Sequence, residues 1–405
     1  MPAEEAAEDA AKDAKTLARE QAAAERTERL FQEVADGRAD TTRRDWLAAS
    51  ALALPIHLVT VALAGSGIWL LVTGNTPLRC LGAVVLAAAF LLRPRLDRPP
   101  TGTGVLKRTD APALYGLADR VAAELGAPPV GVIAVEQDFN ASMSVVGVRR
   151  TSVLTLGLPL WEALDEQQRI ALLGHELAHR INGDHRHGLW LGSASGALVR
   201  WYDFVRPRQR HSEGIGLVAL IFLIGDYLSE AFLGVVRWLL NRVHLLLERL
   251  TAQAGQQAEY RADEFGARVA STEAACGLLA TLLLGPATRT VTMRLRAEIN
   301  SRPRSGGGRA RRDSAPGPDV DLLWQQLREH LAAIGPLERE RLLRRSRRDG
   351  HAVDRTHPPT HLRLALLERR PAVAAAVTST ATESAAIAAE LASHRARIAR
   401  TLLAG

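Results

Sequence analysis

The stretch His-Glu-Leu-Ala-His at positions 175–179 sets two imidazoles four residues apart. On a helix that spacing stacks His175 and His179 on one face, so both ring nitrogens reach a single tetrahedral Zn2+. Glu176, beside the first histidine, then stands where it can take a proton from a water activated at the metal. Zinc brings the pKa of such a water to about 7, which makes hydroxide available at neutral pH. The chemistry these residues support is metal-assisted hydrolysis. Apolar Ile170, Ala171, Leu172, Leu173 and Leu177 supply a buried stripe that would hold the helix rigid.

Two histidines leave such a centre one protein ligand short, with a further position needed for water. Two residues compete for the place. Glu259 lies far downstream in AEYRADEFGA, and Asp263 follows it by one helical turn. From there Asp263 can accept a hydrogen bond from a ligand histidine and fix its tautomer. His185, ten residues after His175, has the spacing of a metzincin third ligand. That pattern wants a glycine where Asn182 stands, and Gly183 comes one position late. Asn tolerates the left-handed backbone, so both ligand sets stay open on these residues alone.

Positioning this chemistry requires a sizeable fold. The 405 residues are 47% hydrophobic but only 4% aromatic, so Ala, Leu and Val carry the apolar content. That bias favours helices over sheets and predicts a mainly α protein with a small β-sheet, an α+β fold. Periodicity predicts a helix over 114–125, a strand over 130–135, a strand pair over 145–156 around Arg149-Arg150, and an amphipathic helix over 166–181.

Two membrane regions interrupt that domain. Residues 1–45 read as a charged, Ala-rich helix or disordered tail with little apolar surface to bury and no secretory signal. Residues 46–92 read as a transmembrane hairpin: 46–73 contains no Asp, Glu, Lys or Arg, 74–77 is a tight turn, and 80–92 is a shorter apolar run. Residues 105–187 form the first part of the metal-binding domain and 251–300 its continuation around Glu259. Between them, 188–250 reads as membrane-associated helices. Asp226, Glu230 and Arg237 lie close to one face there, toward a partner helix or a wet cavity. Residues 301–319 are a flexible insertion, 320–370 return to the domain, and 371–405 read as Ala-rich helix starting at Pro371.

The formal net charge is +7, nearly all of it from arginine, since Lys occurs only at 12, 15 and 107. No basic face interleaved with aromatics accompanies it, which argues against nucleic acid as a partner. Arg38, Arg43 and Arg44 precede the hairpin, and Arg93, Arg95, Arg98, Lys107 and Arg108 follow it. The positive-inside rule therefore puts both of its ends in the cytoplasm. Cys80 and Cys276 make no disulfide framework.

HELAHRINGD followed by EYRAD resembles the HtpX family of membrane zinc metallopeptidases, which is related to the CAAX prenyl endopeptidase. The likeness runs from about residue 114 to 367. Asn140-Ala141 with Gly147 resembles the NAxxxG edge strand of that family, with five residues in place of three before the glycine, which predicts a shifted or bulged strand. Thr155-Leu156-Gly157-Leu158 resembles its strand and Gly-Leu turn, and His357-Pro358-Pro359 with Arg363 resembles its late HP…R motif. The resemblance implies a zincin-like domain on two to four membrane helices, with one Zn2+ per chain on His175, His179 and Glu259. Glu176 is then the general base, Asp263 the support behind the ligands, and Asn140 and Ala141 contacts to bound peptide. His357 and Arg363 would meet the developing oxyanion.

It further implies a multi-pass protein of a bacterial cell membrane, in contact with lipid. Its catalytic domain would face the cytoplasm and cut protein or peptide substrates in membrane protein quality control. A prenyl-protein endopeptidase is the nearest alternative, but such enzymes carry more membrane helices around a chamber. A non-catalytic zinc-binding scaffold is the other, and would have lost Glu176 or a ligand, all of which are present. His187, His211 and His361 match no family ligand and read as loop or surface residues.

Overall fold

The computed structural model describes residues 2–38, 42–93, 95, 98–147, 149–181, 188–206, 217–301, 318–349 and 357–404. In chain order they form α1 (Pro2–Ala35), α2 (Thr42–Thr73), α3 (Thr76–Leu92), β1 (Val105–Leu106), α4 (Pro112–Leu125), β2 (Val132–Glu136), β3 (Ala141–Val146) and β4 (Thr151–Gly157). Next come α5 (Leu158–Ala163), α6 (Glu166–Ile181), a π-helical turn (Gly188–Gly192), α7 (Ser193–Phe204) and α8 (Leu217–Ala270). The remainder is α9 (Thr272–Leu282), α10 (Gly285–Ser301), α11 (Pro318–Ala333), α12 (Pro336–Asp349), α13 (Thr360–Arg369), α14 (Ala381–Glu390) and α15 (Ala392–Ala404). The chain is mostly helical with one small mixed sheet, as composition predicts.

Two compact units result: residues 1–39, 98–184 and 255–405 make one, and 40–97 with 185–254 make the other. In the first, the sheet order is β1-β2-β4-β3, with β2 and β4 parallel and both outer pairs antiparallel. The edge strand β3 pairs with β4 in continuous register from Ala141↔Leu156 to Val146↔Thr151, so no bulge interrupts it. Gly147 opens its hairpin turn at φ +70°, a backbone that other residues adopt at a cost.

Tyr115, fully buried on α4, accepts from Ile133 N–H and donates to the Leu106 carbonyl, tying that helix to two strands. One core holds Trp161, Trp324, Leu154, Leu156, Leu158 and Ile170 at the sheet–helix junction. α9 and α10 meet at a 52° bend, and Leu278, Leu279, Val291 and Leu295 bury their apolar faces in that core.

Helix α6 begins with a reciprocal cap: Asp165 Oδ1 accepts from Gln168 N–H at 2.8 Å, and Gln168 Oε1 accepts from Asp165 N–H at 3.3 Å. Its range is the one the periodicity predicts. The C-terminal segment differs from expectation. Helix does not start at Pro371 but at Ala381, and breaks again before Ala392. Residues 371–380 run non-helical because their backbone bonds to the end of α8 instead: Ala376 and Val377 N–H both donate to the Val269 carbonyl. β-branched Val373, Val377, Thr378 and Thr380 suit that extended path.

The second unit contains the hairpin. Asn75 Oδ1 caps α3 by accepting from Leu78 N–H, fixing the predicted turn. α2 and α3 cross where a side chain at Gly82 would come within 2.9 Å of the Gly67 carbonyl, a close approach typical of membrane helix pairs. Leu58, Val61, Ile68, Trp69 and Val72 on α2, and Val84 and Phe90 on α3, are exposed. Among the described residues, Trp46–Thr73 is the helix long and apolar enough to cross a membrane, and α3 is shorter at 17 residues. In the 188–250 region, Arg237 donates to the Val205 carbonyl at 2.9 Å and pairs with Glu230 at 2.5 Å, so one of the expected charges does meet a partner segment.

Candidate metal centre

Two helices build the site, and two glycines let them meet. A Cβ on Gly174 of α6 would come 3.0 Å from Gly266 Cα, and a Cβ on Gly266 of α8 would come 2.9 Å from the Ala171 carbonyl oxygen. Backbone therefore rests against backbone one residue before His175. Nothing in the sequence reading singled out this pair, because a lone glycine in a helical pattern signals a packing need without naming its partner.

The crossing brings His175, His179 and Glu259 together, their ligating atoms all within 4.8 Å of one another. His175 Nε2 lies 3.3 Å from His179 Nε2. Glu259 Oε2 is 3.5 Å from the first and Oε1 is 3.4 Å from the second. Donors about 2.0–2.1 Å from one tetrahedral centre stand about 3.3–3.4 Å apart. This is the spacing seen.

Behind the histidines lies a chain of buried charge. His175 donates through Nδ1–H to Asp263 Oδ1 at 3.0 Å, which points its Nε2 at the other two groups. Arg363 grips Asp263 with two bonds of 2.7 Å, from Nε to Oδ2 and from Nη2 to Oδ1. The same Nη2 is 3.4 Å from Glu259 Oε2. His175, Glu176, Glu259, Asp263 and Arg363 are each buried. His357, half exposed at the start of α13's approach, places Nδ1 2.8 Å from Glu259 Oε2.

The electrostatics follow. Burial depresses the pKa of His175, but hydrogen bonds and charge from Asp263 and Glu259 outweigh it and raise the value to about 10. Burial favours a neutral Glu259, yet His175 and His357 hold its carboxyl well below the usual range. For Asp263 the burial penalty is overcome chiefly by Arg363. The same pairing, against burial, raises the Arg363 pKa.

A cation fits this arrangement. His175 Nε2 and His179 Nε2 face the buried Glu259 carboxylate, where a cation would take the place of the protons they share with it. The N2O donor set and its spacing suit Zn2+.

The other expected residues fall as follows. Asn140 and Ala141 open the edge strand β3, with the Asn140 carbonyl accepting from Gly157 N–H at 2.8 Å. Arg363 was expected at the oxyanion, but both bonds of its guanidinium described above go to Asp263. His185 and its neighbours Asn182 and Gly183, with His187 and His211, lie outside the described residues. His361 lies on α13, outside the cluster.

A His-Glu-x-x-His helix, a carboxylate from a later helix and a small sheet with a free edge define an HExxH-type metallopeptidase domain. The model of Peptidase family M48 matches residues 110–371, and the chain belongs to that family. Among curated proteins it is similar to Protease HtpX of Xanthomonas axonopodis pv. citri (strain 306), 29% identical over 145 residues, or 33% of this chain and 49% of that protein. Protease HtpX of Xanthomonas oryzae pv. oryzae (strain PXO99A) is 28% identical over 131 residues, covering 29% and 45%. The chain thus spans about half the length of the curated relatives it matches. No solved structure matches it.

Proposed function

We propose that this chain is a membrane-bound zinc metalloendopeptidase. The observation that carries the reading is the convergence of His175, His179 and Glu259 at ligand spacing. Zinc, when bound, supplies the Lewis acidity that makes water nucleophilic near neutral pH. The chain's own groups do the rest. His175 and His179 present Nε2, and Asp263 holds the His175 ring in the required tautomer. Arg363 keeps Asp263 ionised and in place, a positioning role that its two bonds favour over direct contact with substrate. Glu176 takes the proton of the attacking water and returns it to the leaving amine. His357, the exposed member of the cluster, donates to the oxygen that becomes negative. An extended peptide pairs with the free edge of β3, beginning at Asn140 and Ala141.

The membrane part follows from connectivity. Residues on both sides of 40–97 belong to one compact unit, as do those on both sides of 185–254. A span at Trp46–Thr73 that returns through α3 would make the protein multi-pass. Arginines flanking the hairpin favour a cytoplasmic catalytic unit. The similarity to proteins named Protease HtpX supports a protein or peptide substrate. Glu176→Gln tests the mechanism: casein cleavage is lost while bound zinc stays near one per chain. Loss of zinc in that variant would make Glu176 a structural residue.

A further inference from the structure

The N-terminal helix was expected to bury little. Instead Leu30 and Phe31 near its C-terminal end are each only 2% exposed. Phe31 joins Tyr260, Leu362 and Leu366 in a small apolar cluster of its own. Its ring centroid is 6.2 Å from that of Tyr260, and the Arg369 guanidinium covers its ring at 4.8 Å. These neighbours adjoin the metal centre in sequence: Tyr260 follows Glu259, and Leu362 precedes Arg363. Arg370 closes the junction from outside. It donates to Glu264, next to Asp263, at 2.7 Å, and to the Ala35 and Val34 carbonyls at 3.5 and 3.4 Å. Those carbonyls stand in the last turn of α1, where the Val34 oxygen also accepts from Gly37 N–H at 3.1 Å and a cation is favoured by the helix dipole.

We infer that the Leu30–Ala35 turn is a positioning element of the metal centre: it clamps α8 to α13, and so fixes Glu259 and Asp263 against Arg363. The inference rests on the zinc reading above. Phe31 lies outside the family match at 110–371. Glu28, just before Leu30, also acts on Tyr260 through its charge, so the anchor lies in the last two turns of α1.

The test uses the full chain in detergent, with Zn2+ alone as probe in competition with a chelator. Phe31→Ala is expected to weaken zinc binding about ten- to a hundredfold, the usual scale for losing support behind metal ligands. Phe31→Leu should restore most of it, whereas deletion of residues 2–24 should leave affinity unchanged. Should Phe31→Ala fail to fold, Arg370→Gln, which removes the outer bridge only, is expected to weaken zinc binding about tenfold. Cobalt(II) in place of zinc adds a second readout, since a loosened Glu259 shifts its visible absorption. Wild-type affinity in Phe31→Ala or Arg370→Gln overturns the inference, as does an equal loss on deleting 2–24. If the wild-type chain itself takes up no zinc, the functional reading fails instead, so the two failures are distinct.

Discussion

Replacing Gly266 with alanine asks whether the helix crossing sets the site. The added Cβ would stand 2.9 Å from the Ala171 carbonyl oxygen, with His175 N and Cβ at 3.5 and 3.7 Å. Relief to an ordinary contact needs a shift of about 0.5 Å between α6 and α8, and overpacking of this kind costs about 1–3 kcal/mol. Alanine regains about 1 kcal/mol of helix propensity, so net stability should fall by about 0–2 kcal/mol. The larger effect lies at the metal. A displacement of about 0.5 Å reaches the tolerance within which catalytic groups must be held. Zinc affinity and peptidase activity should each drop about tenfold or more while the fold survives. Urea denaturation, zinc competition and casein cleavage on the same preparation separate the terms. A variant that gains the full propensity increment and keeps zinc and activity would refute the idea that backbone contact positions the ligands.

The other predictions concern charge. Arg363→Leu leaves Asp263 buried without its cation and should cost about 3–5 kcal/mol, and Asp263→Asn in the same chain should recover part of that, as a double-mutant cycle in urea can measure. Far from the site, Arg120 holds the Glu383 carboxyl below its usual pKa across a surface pair worth about 0.5 kcal/mol. A depressed folded-state pKa gives stability that is present above the unfolded carboxylate value and lost as pH falls through the folded one. The stability difference between wild type and Arg120→Ala should therefore be present at pH 7 and shrink as acid protonates Glu383, read from melting temperatures across pH.

Much of this architecture is legible in the residues because it is local. The His-x-x-x-His spacing, the cap at Asp165 and the stripe around Ile170 place α6 without any tertiary information, and alternation around Arg149-Arg150 places the β3–β4 pair. What depends on distant partners is not legible. Two apolar residues at 30–31 in a charged helix read as incidental until Tyr260 and Leu366 are set beside them. Gly174 and Gly266 acquire their meaning only from each other. The ten residues from Pro371 to Thr380 look helical by composition, and a carbonyl at Val269 diverts them. Arg363 was visible as a motif residue, but its commitment to Asp263 is a matter of which buried carboxylate lies nearest.

Metal content reports most directly on the grip of His175, His179 and Glu259. Detergent-purified wild type, Glu259→Ala and His185→Ala, measured side by side, should hold about one, none and one zinc per chain. Zinc retained by Glu259→Ala and lost from His185→Ala would contradict the account and hand the third position to the histidine.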